Sequence, residues 1–165
     1  MLEGERLTLR PLSDDDVEAL LPAIHADGIR EWWGDTSDAG HLREGLRNDG
    51  AAFAIYVERQ VAGWLGFEEE TEPDYRHVAL DIMLTPIYQD QGLGPGALRL
   101  AIRWFIDERD HHRFTIDPSA ENERAIAAYR RVGFKPVGTL RNYERAAEGH
   151  WRDGLLMDLL AEDLL

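Results

Sequence analysis

The sequence predicts a mixed α/β fold, and the order of its elements is the main reason. One strand and two helical segments come first, and a run of strands follows. From residue 77 onward the order becomes β-α-β-α-β-β. With 165 residues and 44% hydrophobic content, the chain is long enough to bury a substantial core as one domain.

The first half of the chain carries short strands around two helices. Leu7 to Leu9 reads as a strand that ends at Pro11, and Ser13 is placed to cap the first helix. Pro22 predicts a kink or an early end of that helix. The segments that follow are a loop with a weaker helix over 30–49, strands over 52–58 and 61–68, and an acidic loop over 68–74.

The second half alternates strands and helices. Residues 77–85 alternate apolar and other side chains, as expected of a strand. The remaining elements are a helix over 94–109, a strand over 113–117, a helix ending at Gly133, and strands over 134–140 and 151–160.

Charge and composition exclude several kinds of function. The formal net charge of −14 argues against a nucleic-acid or anionic-membrane partner and is compatible with a cationic substrate. A salt-adapted surface or genome composition explains the same charge equally well. The chain has no cysteine, its histidines show no metal-ligand spacing, and its first residues do not resemble a signal peptide. We therefore expect a cytoplasmic protein, monomeric or homodimeric, with no bound metal.

The most informative segment is a glycine-rich turn between a strand and a helix, Gln89-Asp90-Gln91-Gly92-Leu93-Gly94. Free N–H groups at a helix start bind anions, so this turn predicts a phosphate site. No Gly-Lys-Ser/Thr follows, which excludes a P-loop. A dinucleotide-binding fold is the rival reading, because the glycines fit G-x-G-x-x-A and Asp117 ends the next strand.

A second motif lies about thirty residues later, Asn122-x-x-Ala125-x-x-x-Tyr129-x-x-x-Gly133-Phe134. Together the two motifs resemble those of the GNAT superfamily of acyl-CoA-dependent N-acetyltransferases. The resemblance implies a GNAT domain over residues 1–165, with a mostly antiparallel mixed sheet of six to seven strands and about four helices. It also implies acetyl-CoA as the cofactor.

The same resemblance implies roles for individual residues. Backbone N–H groups of the strand Asp81 to Leu84 would bind pantetheine and the thioester oxygen, and Tyr129 would donate a proton to the coenzyme A sulfur. The alternative for Tyr129 is an ordinary core tyrosine, since it shares a helix face with Ile126 and Val132. The cofactor-binding residues implied are Ile82, Met83, Leu84, Gln89, Asp90, Gln91, Gly92, Leu93, Gly94, Gly96, Asn122, Ala125 and Tyr129.

Two departures from the family pattern concern cofactor affinity. Asp90 places an anion near the expected diphosphate, and Pro95 removes one N–H from the helix start. Each departure is expected to weaken binding by about 0.5–1 kcal/mol if its contact is direct.

The acceptor site is predicted from carboxylates and aromatic residues. Asp81 points away from the apolar face of its strand, which suits a catalytic or ammonium-binding group in a cleft as well as a solvent-facing residue. Asp117 suits the same role, or simply a turn before Pro118. Segments around these residues resemble aminoglycoside 6'-N-acetyltransferases, and hence antibiotic-resistance enzymes. The substrate-binding residues implied are Trp32, Trp33, Glu68, Glu70, Asp81 and Asp117.

The ends of the chain have a different resemblance. Residues 4–12, 138–143 and 151–153 are similar to ribosomal-protein N-terminal acetyltransferases, and we interpret them as scaffold. Four functions therefore stay open: acetylation of an aminoglycoside-like polycation, acetylation of protein N-termini, acyl transfer to a siderophore or other small amine, and acyl-CoA binding without catalysis.

Overall fold

The computed structural model describes residues 1–34 and 36–165, which form a sheet of eight strands and four α-helices. The strands are β1 (Leu2–Glu3), β2 (Thr8–Pro11), β3 (Ala52–Val57), β4 (Gln60–Glu70), β5 (His77–Leu84), β6 (Arg113–Ile116), β7 (Lys135–Arg145) and β8 (Trp151–Leu160). The helices are α1 (Asp14–Ile24), α2 (Ala39–Arg47), α3 (Leu93–Arg109) and α4 (Glu123–Arg130). The predicted α/β class and helix number are confirmed. The predicted six to seven strands fall short of the eight described, because the two-residue strand β1 has no periodicity by which to recognise it.

The sheet order is β1-β2-β3-β4-β5-β6-β8-β7, and every neighbouring pair is antiparallel except β5 and β6. The parallel pair is short, joining Val78 to Phe114 and Ala79 to Thr115. In the described chain the two strands do not pair beyond these residues, although β5 continues to Leu84. The sheet therefore opens into a cleft between the carboxyl ends of two parallel strands.

Helices cover both faces of the sheet. On one face α3 packs through Leu98, Ile102 and Phe105 onto side chains that include Leu65 and Phe114. On the other face α1 and α2 form a second cluster around Trp64 and Met83. Adjacent residues of β4 thus enter opposite cores, as the two-residue period of a strand requires.

The helix ends follow local chemistry. The Ser13 and Asp16 side chains form a capping box at the start of α1, and this helix runs through Pro22 before it ends at Ile24. Gly92 precedes α3 with a φ of 75°, a left-handed conformation that glycine adopts without strain. Within the described ranges, no helix is long and apolar enough to cross a bilayer.

The predicted acidic loop over 68–74 is too long. Strand β4 continues to Glu70, which pairs with His77. The middle glutamate, Glu69, accepts hydrogen bonds of 2.8 Å from Arg109 and from the buried His111. These long-range partners hold an acidic segment in the sheet, and sequence alone gives no sign of them.

Gly133 is required for packing after α4. Its φ is 118°, and a Cβ added there would lie 2.1 Å from the backbone oxygen of Asp163. We expect Gly133→Ala to lower the free energy of unfolding by about 3 kcal/mol. Gly45→Ala is the matched control: no atom lies within 4 Å of the added Cβ in helix α2, so it should stabilise by about 0.5–1 kcal/mol. Urea titration of both variants tests the pair, and equal effects would contradict it.

Candidate functional site

A first cavity of about 530 Å³ lies in the cleft that β5 and β6 leave open. Its walls are the end of β5, the glycine-rich turn, the start of α3 and one side of α4. Most of the predicted cofactor-binding residues meet in this wall. They are Ile82, Met83, Leu84, Gln89, Asp90, Gly92, Leu93, Gly94, Asn122, Ala125 and Tyr129.

Two predicted cofactor-binding residues lie outside that wall. Gln91 faces outward, where its amide donates to the carbonyl of Ile87 and its own carbonyl accepts from Arg6. A Cβ added at Gly96 would meet the Leu7 side chain at 3.5 Å, so this glycine faces the β2 side. Both are turn and packing residues in the structure.

The start of α3 is built to receive an anion. The first amides of a helix have no intrahelical acceptor, and this 17-residue helix begins in the cavity wall at Leu93 and Gly94. A Cβ added at Gly94 would lie 3.6 Å from the Leu84 side chain, an ordinary contact distance, so this residue lies beside the end of β5. Pro95 lies buried in the first turn, a position that tolerates proline. The residues present therefore fit a diphosphate.

Arg124 counters the anion that the sequence places in this turn. Its Nη1 lies 3.8 Å from an Asp90 carboxylate oxygen and donates to Gln89 Oε1 at 2.7 Å. Gln89 in turn donates to the Leu84 carbonyl at 3.0 Å. Among the described residues, the charged side chains of this wall are Asp90, Arg124 and Arg131. The cavity thus carries a net positive charge in a chain of net charge −14.

A second cavity of about 410 Å³ adjoins the first and has the opposite charge. Its charged wall residues, within the part of the chain that the structure describes, are Asp81, Asp117, Glu144 and Arg145. Its aromatic wall residues are Trp32, Trp33, Tyr129 and Tyr143. A carboxylate-lined cavity with aromatic walls suits a cationic ligand.

Tyr129 lies where the two cavities meet. It lines both, as do Trp32, Trp33, Ile82 and Asn122. The tyrosine is 8% exposed, and its hydroxyl makes no hydrogen bond to any residue of the described ranges. Burial, reinforced by the nearby carboxylates of Asp81 and Asp117, raises the pKa of Tyr129 well above its ordinary range. The hydroxyl is therefore protonated at neutral pH and has its proton free to donate.

Asn122 holds the helix that carries this tyrosine. Its side-chain oxygen accepts from the Ala125 N–H at 3.1 Å and caps α4. The spacing of these two motif residues is thus that of an N-cap and its third helical residue. Tyr129 follows one turn after Ala125 on the same helix face.

Asp81 lines the second cavity, and its side chain is exposed to the cleft. Desolvation by the surrounding protein raises the pKa of this carboxyl, and repulsion from Asp117 and Glu144 adds to the effect. The hydrogen bond that Ile82 N–H donates to it, at 2.7 Å, opposes the shift. A carboxylate with raised pKa in a cleft suits a proton acceptor or an ammonium partner.

The aromatic wall is anchored from the far end of the sheet. The Arg152 guanidinium is buried, donates to Glu144 at 2.5 Å and to the Glu31 carbonyl at 2.7 Å, and lies 5.0 Å from the centre of the Trp32 ring. Trp33 packs edge-on against Trp64, with ring centres 5.9 Å apart.

Glu68 and Glu70 lie outside both cavities. They are exposed on β4, and Glu70 instead accepts a hydrogen bond from the Glu72 N–H at 2.8 Å. The prediction missed Tyr143, Glu144 and Arg152, which it assigned to scaffold or left unassigned. They enter the site because β7 and β8 fold back beside the end of β6.

Sequence comparison agrees with this geometry, since residues 6–135 match the family profile of the Acetyltransferase (GNAT) domain. The chain belongs to the GNAT acetyltransferase family. Acetyl-CoA is the acetyl donor of this family, so the predicted cofactor and the prediction of an N-acetyltransferase are confirmed. Enzyme function is accordingly favoured over acyl-CoA binding alone.

Three known proteins indicate the range of this GNAT chain's relatives. Spermidine N(1)-acetyltransferase of Escherichia coli is 29% identical over 172 residues, covering 100% of this chain and 91% of the relative. Aminoglycoside N(6')-acetyltransferase type 1 of Klebsiella pneumoniae is 27% identical over 160 residues, covering 83% and 78%. The structure of Vibrio cholerae spermidine N-acetyltransferase with CoA and spermine superposes with a TM-score of 0.82 at 21% identity, covering 97% and 98%.

The raised pKa of Asp81 has a consequence for the stability of this GNAT acetyltransferase. The unfolded chain releases this proton near the ordinary value of 3.8, whereas the folded chain releases it at higher pH. The ionised carboxylate therefore costs stability as pH rises through the folded pKa, and the cost vanishes below 3.8.

We expect Asp81→Asn to melt at a higher temperature than the wild type at pH 7, with the difference shrinking toward pH 4. Asparagine retains an acceptor for the Ile82 N–H. Thermal melting across pH 4–8 measures the effect, with the exposed loop variant Asp74→Asn as control. A difference that grows on acidification would contradict the assignment.

Proposed function

We propose that this GNAT domain transfers acetyl from acetyl-CoA to a primary amine of a polycationic small molecule, of the aminoglycoside type. The observation that carries the proposal is the opposite charge of two cavities that share Tyr129. An anionic cofactor fits the positive cavity, and a cationic acceptor fits the negative one. We treat residues 1–165 as one cytoplasmic catalytic domain.

On the cofactor side, the amides at the start of α3 and the Arg124 side chain are placed to bind phosphate oxygens. Ile82 and Leu84 lie on the part of β5 that β6 leaves free, where an extended ligand can run along the strand. Bound acetyl-CoA would supply the activated thioester. Tyr129, protonated and free of hydrogen bonds in the described chain, provides the proton donor where the cavities meet.

On the acceptor side, Asp81 is placed to hold the reacting ammonium and to take its proton, directly or through water. Its raised pKa favours this role, because a carboxylate of ordinary pKa is a weaker base. Asp117 adds negative charge beside it, and Trp32 and Trp33 give aromatic faces on which a cation can rest.

Two of the relatives are named for acetylating an aminoglycoside and spermidine, and both compounds carry several amines. This supports a polycation as the acceptor of the present chain. Among the sequence-based alternatives, acetylation of protein N-termini remains the competing function. That reaction needs only one ammonium at the end of a neutral backbone. Asp81 and Asp117, which have no arginine partner in the described chain, already provide more negative charge than it requires.

The deciding experiment is a competition assay that follows thiol release from acetyl-CoA. The acceptors are kanamycin, spermidine and short peptides with N-terminal alanine or serine, at equal concentration. We expect kcat/KM for at least one polycation to exceed that for the peptides by tenfold or more, roughly the effect of one charge-assisted contact. Higher kcat/KM for the peptides would establish the N-terminal alternative.

Tyr129→Phe tests the proton donor. Removing a hydroxyl that makes no hydrogen bond in the described residues should leave folding nearly unchanged, while kcat falls by roughly ten- to a thousandfold. Steady-state kinetics and thermal melting measure the two effects. A variant with wild-type kcat would make Tyr129 an ordinary core tyrosine packed on Phe134.

A further inference from the structure

Strand β7 has an irregularity close to the acceptor cavity. Leu140 pairs with Gly154 and Glu144 pairs with Arg152, so three residues of β7 lie opposite the single residue Asp153 of β8. Bulges of this kind bend a strand and re-aim its side chains, often beside functional sites.

The bulge is held by specific contacts. Asn142, at its centre, has a left-handed φ of 48°, which asparagine tolerates better than most residues. Its N–H donates to the Asp153 carboxylate at 2.8 Å. The next residue, Tyr143, is thereby turned across the face of β8.

Gly154 provides the space that the Tyr143 ring occupies. A Cβ added at this glycine would lie 2.8 Å from Tyr143 Cδ1, which is shorter than the non-bonded contacts that Cβ atoms make in proteins. On the other side of Gly154 runs the segment after β6, where Leu155 N–H donates to the Pro118 carbonyl at 2.8 Å. The Tyr143 ring therefore crosses β8 at Gly154, where no side chain blocks it, and its hydroxyl reaches Asp117.

At the end of this path the Tyr143 hydroxyl donates to Asp117 Oδ2 at 2.5 Å. This bond, with repulsion from nearby carboxylates and burial, raises the pKa of Tyr143 to about 12. The phenol is therefore a donor at any assay pH. It occupies one oxygen of Asp117, and within the described residues the other oxygen accepts no hydrogen bond. Both residues line the second cavity.

We infer that Tyr143 is a positioning residue of the acceptor site, which orients the Asp117 carboxylate toward a second cationic group of the acceptor. This inference rests on the proposed function. Asp81 and Asp117 follow equivalent positions of β5 and β6, two residues after the pair of Ala79 with Thr115. One acceptor can therefore span both carboxylates while its reacting amine lies between Asp81 and Tyr129.

The other charges around Tyr143 support this division of roles. Glu144 is bound by the buried Arg152, and Arg145 donates to the Gly149 carbonyl. The orientation of the Asp117 carboxylate depends on Tyr143, because within the described residues this tyrosine is the group that donates a hydrogen bond to it. An acceptor with one ammonium needs only Asp81, and so does not depend on Tyr143.

The test compares Tyr143→Phe with the wild type on acceptors that differ in their number of cationic groups. For putrescine, with two amines, we expect KM to rise about tenfold with kcat within about twofold. For butylamine, which has one amine and the same chain length, both constants should stay within about twofold. The tyrosine is 49% exposed, so the variant is expected to fold.

Two further variants complete the design. Asp117→Asn should by itself raise KM for putrescine, and adding Tyr143→Phe to it should change KM no further, because the hydroxyl acts through that carboxylate. Tyr75→Phe removes the hydroxyl of a more exposed tyrosine, 74% against 49%, which lines neither cavity, and it should leave both acceptors unaffected.

The inference would be overturned if Tyr143→Phe changed KM equally for putrescine and butylamine. It would also be overturned if Tyr143→Phe raised KM for putrescine as much in the Asp117→Asn background as in the wild type. In both cases the activity of the wild type would still uphold the proposed function. Wild-type protein that binds acetyl-CoA but acetylates no amine would instead overturn the proposed function, and this inference with it. Thermal melting of each variant separates these outcomes from a loss of folding.

Discussion

The separation of β5 from β6 is the constraint on which the rest of the site depends. Two parallel strands pair over two residues and then part, so the backbone of β5 from Asp81 to Leu84 has a neighbour on one side only in the described chain. A strand buried on both edges offers no backbone groups to a ligand. Here one edge is open, and α3, α4 and the segment before α2 close around it to make two adjoining cavities.

Charge then divides the two cavities. The first holds two arginines and one aspartate, and the second holds three carboxylates and one arginine, among the described residues. Seventeen arginines cannot offset the acidic residues of the whole chain, whose net charge is −14. Placement of Arg124 and Arg131 at the turn nevertheless reverses the local field. Long-range attraction therefore favours a cation at the second cavity, while short-range contacts and helix amides favour an anion at the first.

Sequence reasoning succeeded where local chemistry decides the structure. Helix α3 begins at Leu93, next to the predicted Gly94, because the glycine turn and the apolar period are both local signals. Asn122 and Ala125 were implied by the family resemblance, and the structure gives their spacing a local cause, since an N-cap is formed within one turn. The position of Asp81 beside a cleft was predicted from the two-residue period of its strand, which places its side chain on the face opposite Leu80 and Ile82.

Sequence-based prediction failed where contacts between distant segments decide the structure. Glu68 and Glu70 looked like substrate ligands, but the register of β4 on β5 extends the strand and leaves them outside the cavities. Tyr143 looked like scaffold because its place in the site requires a bulge, an asparagine with positive φ and a glycine on the neighbouring strand. No single-sequence pattern encodes that combination, because each part has meaning only through its partner.

Arg152 connects an early and a late segment of the chain in the aromatic wall of the two cavities. A buried guanidinium is costly unless each side is paired, and this one is paired with a carboxylate, a carbonyl and an aromatic ring. Its contacts join β7, β8 and the segment that carries Trp32, which lines both cavities. The same contact with Glu144 reduces the negative charge of the second cavity. Arg152 thereby fixes the shape of the aromatic wall and leaves Asp81 and Asp117 as the two carboxylates of the second cavity that have no arginine partner in the described chain.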